Sequence, residues 1–556
     1  MNTWIKLWLP IVLIVVMSGF FMRDLTKPGL PKMHDSNPHI ARMIAYHQNF
    51  IDGQFPPSWA KEVLGGIGSP VLLLNYQLPY YFSEILVRLG FGYFDSYKIV
   101  LGLSFILSGL VMYYALSQKY SAWASLLGTS VYLLAPYRFV DIFVRGAYGE
   151  AWAFVFAPLI LAGFWRRSLP LLIFGWAGLF LTHPLASAVF AGFFLFYTFI
   201  NQSKRGKWQA WKLYWLSFAI AITMAAFNIL PTLALTKHTY YTPADSGTLS
   251  QFPSFQQLIN SNWGYGTALT GRSDQMSLMI GVGQLLVILA SLVIALGKNQ
   301  RTLRFVVVMT GIAIFFITPL SRGIYELLDL TKVIDFPWRL LICVVFGAGW
   351  LGAELTDQLT NKLMKHVLGV VLLILLIWTA IPIAHTGEYW NKPENWFARE
   401  TGDSYGEYAP RTRTTRERAP FGLRAETIAG EAEIILVEHK VTRLELSVDA
   451  KTDSVIRINI AAFPGWETRI DGQPANCKIT KRTLSHIDDS GLVACQISKG
   501  THTVFHTYRP LPIQRVANLI SLLGWGEYLW IVSVSFYRHI TRGKRSSATR
   551  HISPTF

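Results

Sequence analysis

The chain has 556 residues, of which 52% are hydrophobic and only 15% charged, and its mean hydropathy is +0.33. That balance excludes an ordinary soluble multidomain protein and points to a polytopic membrane protein. A net charge of +17 would suggest a nucleic-acid partner in a soluble chain, but here the basic residues fall largely in short connections between apolar runs and in the tail after Tyr537. In those places they mark cytoplasmic sides and meet anionic lipid headgroups, so no nucleic acid is expected.

In chain order, residues 4–22 place one Lys ahead of an apolar run with no small-x-small cleavage site behind it. This predicts an uncleaved first span with a cytoplasmic N-terminus. The polar loop 23–70 then lies outside, and the spacing of Ile40, Met43, Ile44 and His47 predicts a short helix along the membrane interface. Residues 71–92 are apolar but interrupted by Asn75, Tyr76, Gln77 and Glu84, and read either as a span or as a hairpin that enters and returns. Further spans are expected at 97–116, 122–136, 151–165, 169–182, 185–200, 214–235, 276–296, 305–319, 340–353 and 367–384. Outer loops then fall at 137–150, 236–275 and 321–337. This count gives about 12 spans and puts the clusters beginning at Arg166, Lys204, Lys298, Lys362 and Arg538 on the cytoplasmic side.

Between 386 and 510 no run approaches the roughly 20 apolar residues that a bilayer crossing demands. After a charged linker, 388–424, Leu444, Leu446 and Val448 alternate with Arg443, Glu445 and Ser447. Similar runs at 433–438, 454–462, 492–497 and 502–508, punctuated by Pro-Gly-Trp, Asp-Gly-Gln-Pro and Ser-Lys-Gly turns, predict a small antiparallel β-sandwich. Cys477 and Cys495 are the only cysteines of this region and would form one bridge if it is extracytoplasmic, whereas Cys343 sits in a span as a small core residue. A last span, 511–537, returns the basic tail 538–556 to the cytoplasm. The expected organisation is therefore a helical membrane unit over 1–385, an extracytoplasmic β-rich unit over 386–510 and a final transmembrane helix.

No P-loop, dinucleotide fingerprint or HExxH motif is present, and His34, His39 and His47 match no common zinc spacing. Asp35, shortly after the first span, is either a solvated loop acid or a general base at the membrane edge, with His34 beside it. Glu150 opens an apolar helix and is either a charge favourable to the helix dipole or a second acid facing the same cavity. Arg145 and Arg339 lie at the outer ends of spans, where topology does not call for positive charge. They are interfacial anchors, or they grip a phosphate with the fork geometry that Lys lacks. His183 caps a turn or touches substrate, and Tyr76 belongs to an interfacial aromatic belt or stacks a sugar.

The segments His34-Asp35, Asp52 to Pro57, Gly65 to Pro70 and Asn75-Tyr76 resemble the first loop of GT-C type membrane glycosyltransferases. The nearest likeness is to the bacterial YfhO-like and 6-pyruvoyl-tetrahydropterin synthase-related membrane families. It extends through Ala135 to Arg138, Arg145 to Glu150, Thr182 to Pro184, Phe336 to Arg339, Phe463 to Trp466 and Asp471-Gly472. The resemblance implies a GT-C fold and inverting transfer of a sugar from a polyprenyl-phosphate donor to a glycan, lipid or protein acceptor of the cell envelope, at the outer face of a bacterial inner membrane. Asp35 would be the catalytic base, Glu150 the second-loop acid, and His34, Arg145, His183, Arg339 and Tyr76 substrate contacts. The first loop carries His-Asp rather than two adjacent acids, so metal ligands stay unassigned and a divalent cation, Mg or Mn, is left open. No His-x-His zinc pair supports pterin chemistry. The rival readings are a transporter or flippase of lipid-linked sugars, and a non-catalytic assembly protein whose β unit binds glycan or partner chains.

Overall fold

The computed structural model describes residues 3–200, 204–241, 248–269, 275–297, 300–400, 406–414, 422–481 and 489–549. The first apolar run forms α1 (Thr3–Met22), and the amphipathic stretch after it forms α2 (Ser36–Ile51), with Ile40, Met43 and Ile44 buried. The interrupted segment resolves into two short helices, α3 (Val71–Leu74) and α4 (Leu78–Arg88), broken where Asn75 adopts extended backbone.

The remaining apolar runs give α5 (Tyr93–Leu116), α6 (Ala122–Leu133), a one-turn α7 (Pro136–Phe139), α8 (Tyr148–Arg166), α9 (Leu169–Thr182), α10 (Pro184–Ile200), α11 (Lys204–Met224) and α12 (Ala226–Leu235). After them come α13 (Phe255–Ile259), α14 (Val282–Gly297), α15 (Arg301–Ile317), α16 (Arg322–Leu327), α17 (Leu341–Gln358) and α18 (Lys362–Ala380). A short α19 (Glu394–Glu400) and the C-terminal α20 (Pro512–Thr549) complete the helices. Among the described residues, six helices are long and apolar enough to cross a membrane, nine if each of three sharply bent pairs makes one crossing, and three further apolar helices are shorter. Close packing uses small residues: on α6 and α17, Gly128 lies against Gly349 and Ala353, the device by which membrane helices approach without a hydrophobic drive between them. Of the expected third outer loop, α13 is held by a capping box of Ser254 and Gln257. Residues 242–247 and 270–274 of that loop lie outside the described residues, as do 201–203 just ahead of one basic cluster, 298–299 within another, and the tail beyond 549.

The C-terminal region is two antiparallel sheets. Its strands are β3 (Ala425–Ala429), β4 (Ala432–His439), β5 (Arg443–Ala450), β6 (Ser454–Ala461), β7 (Trp466–Ile470), β8 (Gln473–Pro474), β9 (Cys477–Ile479), β10 (Leu492–Ile497) and β11 (Gly500–Tyr508). They pair in the orders β3-β6-β10-β9 and β4-β5-β11-β7-β8. The alternation seen in the sequence becomes burial: Leu444, Leu446, Val448 and Ala450 of β5 face the core while their neighbours are partly exposed. Facing residues of β9 and β10 carry the Cys477–Cys495 disulfide. For a sequence separation of 18, reducing it is expected to destabilise the sandwich by about 3 kcal/mol, read as a lower denaturant midpoint with and without reductant.

These sheets clamp the first loop. β1 (Leu30–Pro31) pairs with β2 (Tyr389–Trp390). The Ala461 N–H donates to the Ile67 carbonyl at 2.9 Å, the Val441 N–H to the Asp52 carboxylate at 2.6 Å, and Arg424 bridges to Glu62 at 2.7 Å. Trp59, 1% exposed, is packed among Phe463, Trp466 and Tyr508. The loop that carries His34 and Asp35 is therefore held on both sides.

Candidate functional site

Five chain segments meet around one cluster of polar side chains. The segment expected as a second outer loop is not a surface loop at all. α7 continues into a single stretch of π-helix, Val140–Arg145, and every residue from Pro136 to Glu150 is buried. Such wide turns recur at functional sites because they redirect a few side chains without ending the helix. Gly146 ends this one with φ +63°, a left-handed backbone that glycine adopts without cost. α8 then starts so close to its neighbours that a side chain on Gly149 would run into the Thr182 carbonyl and the Tyr76 ring.

This turn puts Arg145 at the centre. Its guanidinium donates to Asp141 at 2.5 Å, to Glu150 at 2.8 Å and to the Tyr137 hydroxyl at 3.3 Å, and it lies over the Trp338 ring at 4.8 Å. Tyr137 in turn donates to Glu150 at 2.5 Å. Asp141 and Glu150 are 0% and 1% exposed, so two carboxylates share one cation where water cannot help. Arg138, also fully buried, donates to Ser108 at 2.8 Å and stacks on Phe154.

His183 stands between α9 and α10. Its Nδ1 accepts the Ala186 N–H at 3.1 Å, a helix N-cap contact. That bond places the ring proton on Nε2, which faces Glu150 at 3.8 Å. Burial, opposed by Glu150 and reinforced by Arg339 and Arg145, pushes the imidazole down to about 4, so His183 is neutral near pH 7 and a donor toward the carboxylate. Arg339, just ahead of α17, is held through both oxygens of Asp335, at 3.0 and 2.7 Å, while its buried Nε has no partner. A narrow crevice lined by Glu150, His183, Arg339, Leu185 and Ile342 runs between them.

The His34 and Asp35 N–H groups donate to the Val144 and Arg145 carbonyls at 3.0 and 2.9 Å, which anchors the first loop to the end of the π-helix. Asp35 is the N-cap of α2, yet its carboxylate does not take up the helix N–H groups as an N-cap Asp ordinarily does. Among the described residues the half-buried carboxylate has no hydrogen bond or ion pair. Its charge is nevertheless felt at Arg145, Tyr76, Tyr80 and Tyr97. His34 is exposed, its Nε2 meeting the Tyr265 and Gly266 carbonyls at 3.3 and 3.1 Å. Tyr76 stacks on Tyr80 at 5.8 Å, within a cage of tyrosines around His39.

The structure thus gathers Asp35, Tyr76, Arg145, Glu150, His183 and Arg339 and leaves His34 at the rim. Sequence reading missed Tyr137, Asp141 and Asp335. Asp141 had a signal, an acid inside the apolar run Val140 to Val144. Among the described residues no three His, Cys, Asp or Glu side chains come together as a metal site. Glu150 and Asp141 are both bonded to Arg145, so these two carboxylates do not fit a resident divalent cation.

No protein-family model matches the chain, so the YfhO-like and pyruvoyl-tetrahydropterin synthase-related affiliation finds no match there, and no curated protein matches it. Solved structures similar to it include arabinofuranosyltransferase AftD from Mycobacteria, with 13% identity over 70% of this chain and 27% of that one and a TM-score of 0.40. ArnT from Cupriavidus metallidurans, bound to undecaprenyl phosphate, has 13% identity over 71% and 68% with a TM-score of 0.43. The oligosaccharyltransferase AglB from Archaeoglobus fulgidus, in complex with an inhibitory peptide and a dolichol-phosphate, has 11% identity over 76% and 62% with a TM-score of 0.44. The chain therefore spans about a quarter of the length of AftD and under two thirds of AglB. At these identities and scores the likenesses carry no argument about chemistry, which rests on the side chains above.

Proposed function

We propose that the protein is a membrane glycosyltransferase that moves a sugar from a polyprenyl-phosphate donor to an envelope acceptor at the extracytoplasmic face of the bacterial inner membrane. The observation that carries this reading is the convergence on Arg145 of an uncommitted carboxylate, Asp35, whose charge reaches it from the first loop, and of Arg339, whose charge it feels from the segment ahead of α17. In the proposed topology the helices make about 12 crossings, both termini are cytoplasmic and the sandwich is outside.

Asp35 accepts the proton of the acceptor hydroxyl as its oxygen attacks the anomeric carbon. The bond from that carbon to the phosphate oxygen breaks with inversion, and polyprenyl phosphate departs with the electron pair. Arg339, at the mouth of the crevice, offsets the phosphate charge. The partner-free Nε leaves the guanidinium a donor that is not spent on Asp335. Arg145 acts differently, because its commitment to Asp141 and Glu150 fixes the backbone carbonyl on which Asp35 hangs. His183 and Glu150 close the inner wall, and Tyr76 presents a ring to the sugar.

Arg339→Lys is expected to weaken donor binding roughly tenfold, because an ammonium cannot hold Asp335 and a phosphate in one plane. Unchanged affinity would return Arg339 to a purely structural part. The reading itself is tested with purified protein and a set of polyprenyl-phosphate hexoses and pentoses, following protein-dependent release of polyprenyl phosphate. No release from any donor, together with movement of the same lipids across a proteoliposome bilayer, would favour transport instead.

A further inference from the structure

The β-sandwich holds a cavity that the reaction does not use. It has a volume of about 530 Å³, in the range of small-molecule sites rather than packing voids, and opens between the β7–β8 hairpin, β9 and the helical unit. Its apolar wall is Phe463 and Trp466. Against Trp466 the His506 ring stacks at 4.6 Å and 7°.

Two polar groups of this wall are left over. The Thr468 hydroxyl meets His506 Nδ1 at 2.9 Å, and neither His506 Nε2 nor Trp466 Nε1 has a hydrogen-bond partner. His506 is 1% exposed, and burial pushes it down to about 3, so it stays neutral. Buried polar groups without partners are costly, and each asks for an explanation. The charged groups are unbalanced as well. Arg469 and Lys478 line the cavity and neither forms an ion pair among the described residues, whereas the one lining acid, Glu467, is taken up by Arg509 at 3.4 Å.

An aromatic wall with an unpartnered indole N–H, an unpartnered imidazole nitrogen and two cations matches a ligand that has apolar ring faces, many hydroxyls and negative charge. We infer that this cavity is a binding subsite for an acidic oligosaccharide, the acceptor glycan of the transfer proposed above, on which reading its role as an acceptor subsite rests. A continuous strip of backbone joins it to the site. His238 and Thr412 stand at the cavity. From there residues 238–240 pair with 409–411, through Arg411 N–H to the His238 carbonyl at 2.9 Å and Tyr240 N–H to the Ala409 carbonyl at 3.1 Å. At its far end Tyr241 stacks on Tyr408 at 5.3 Å and feels the charges of Asp335 and Arg339. A glycan seated in the cavity has a marked path toward Arg339.

The test uses the full-length protein in detergent on an array of defined oligosaccharides: uronate-bearing, phosphate-bearing and uncharged. The native protein and Asp35→Asn are expected to bind acidic members equally. The double variant Arg469→Ser with Lys478→Ser, which alters only side chains at the cavity edge, is expected to lose at least tenfold in affinity, and His506→Phe to lose binding with the sandwich still folded by its unfolding midpoint. Binding that is absent, confined to uncharged sugars, or unchanged in the double variant would overturn the subsite. If the double variant transfers sugar with an unaltered acceptor KM, the subsite falls while the transferase stands. If acidic glycans bind but no donor is ever consumed, the transferase falls and the glycan site stands.

Discussion

Asp35→Asn is expected to lower sugar transfer by about a hundred- to ten-thousandfold, the range that a positioned general base supplies, without disturbing the fold. The geometry makes the second half of that statement specific. The Asp35 backbone, not its side chain, ties the first loop to Arg145, and the carboxylate forms no cap on α2, so an isosteric amide removes basicity and nothing structural. Donor binding should be retained, so the loss appears in kcat rather than KM. Turnover of the purified variant at the native rate would remove Asp35 from the chemistry.

Arg145→Leu has the largest expected effect on stability, a loss of about 3–5 kcal/mol. It strips the directly bonded cation from two carboxylates that are 0% and 1% exposed, leaving Asp141 only the unbonded charge of Arg138 and Glu150 only that of Arg339. The signature that separates this cause from simple packing loss is rescue. Adding Asp141→Asn and Glu150→Gln to Arg145→Leu removes both stranded charges and should restore much of the thermal unfolding temperature in detergent. A triple variant no more stable than Arg145→Leu alone would show that the charges are not the reason.

Much of the fold was legible because the bilayer imposes a length on apolar runs and the sandwich imposes a period of two. α9 and its neighbours fall where hydropathy put them, and the alternation of β5 reads directly as buried and exposed faces. β7 to β9 were not anticipated, since Trp466 to Ile479 has short, polar strands whose partners are remote or minimal: β7 pairs with β11, β9 with β10, and β8 only with β7. The site divides in the same way. Asp35, Glu150, His183 and Arg339 were visible as ionisable groups beside apolar runs. What no local pattern carries is the contact of residues 34–35 with 144–145 across more than a hundred positions, or the folding of residues 137–150 inward. That segment has a polar rhythm suited to a loop, and only the π-helix and Gly146 bury it. Arg145 read from the sequence as a phosphate ligand; in the fold its guanidinium is bonded to Asp141 and Glu150 while its backbone carbonyl accepts the Asp35 N–H.

The central claim is that Asp35 catalyses transfer from a lipid-linked sugar. Its most direct test is mass spectrometry of lipid-linked sugars and envelope glycans from cells carrying the native protein, a deletion, or Asp35→Asn at equal abundance. The expected result is one missing glycan modification and accumulation of its polyprenyl-phosphate donor in both mutants. A native glycan profile in Asp35→Asn, with a defect confined to the deletion, would contradict the claim.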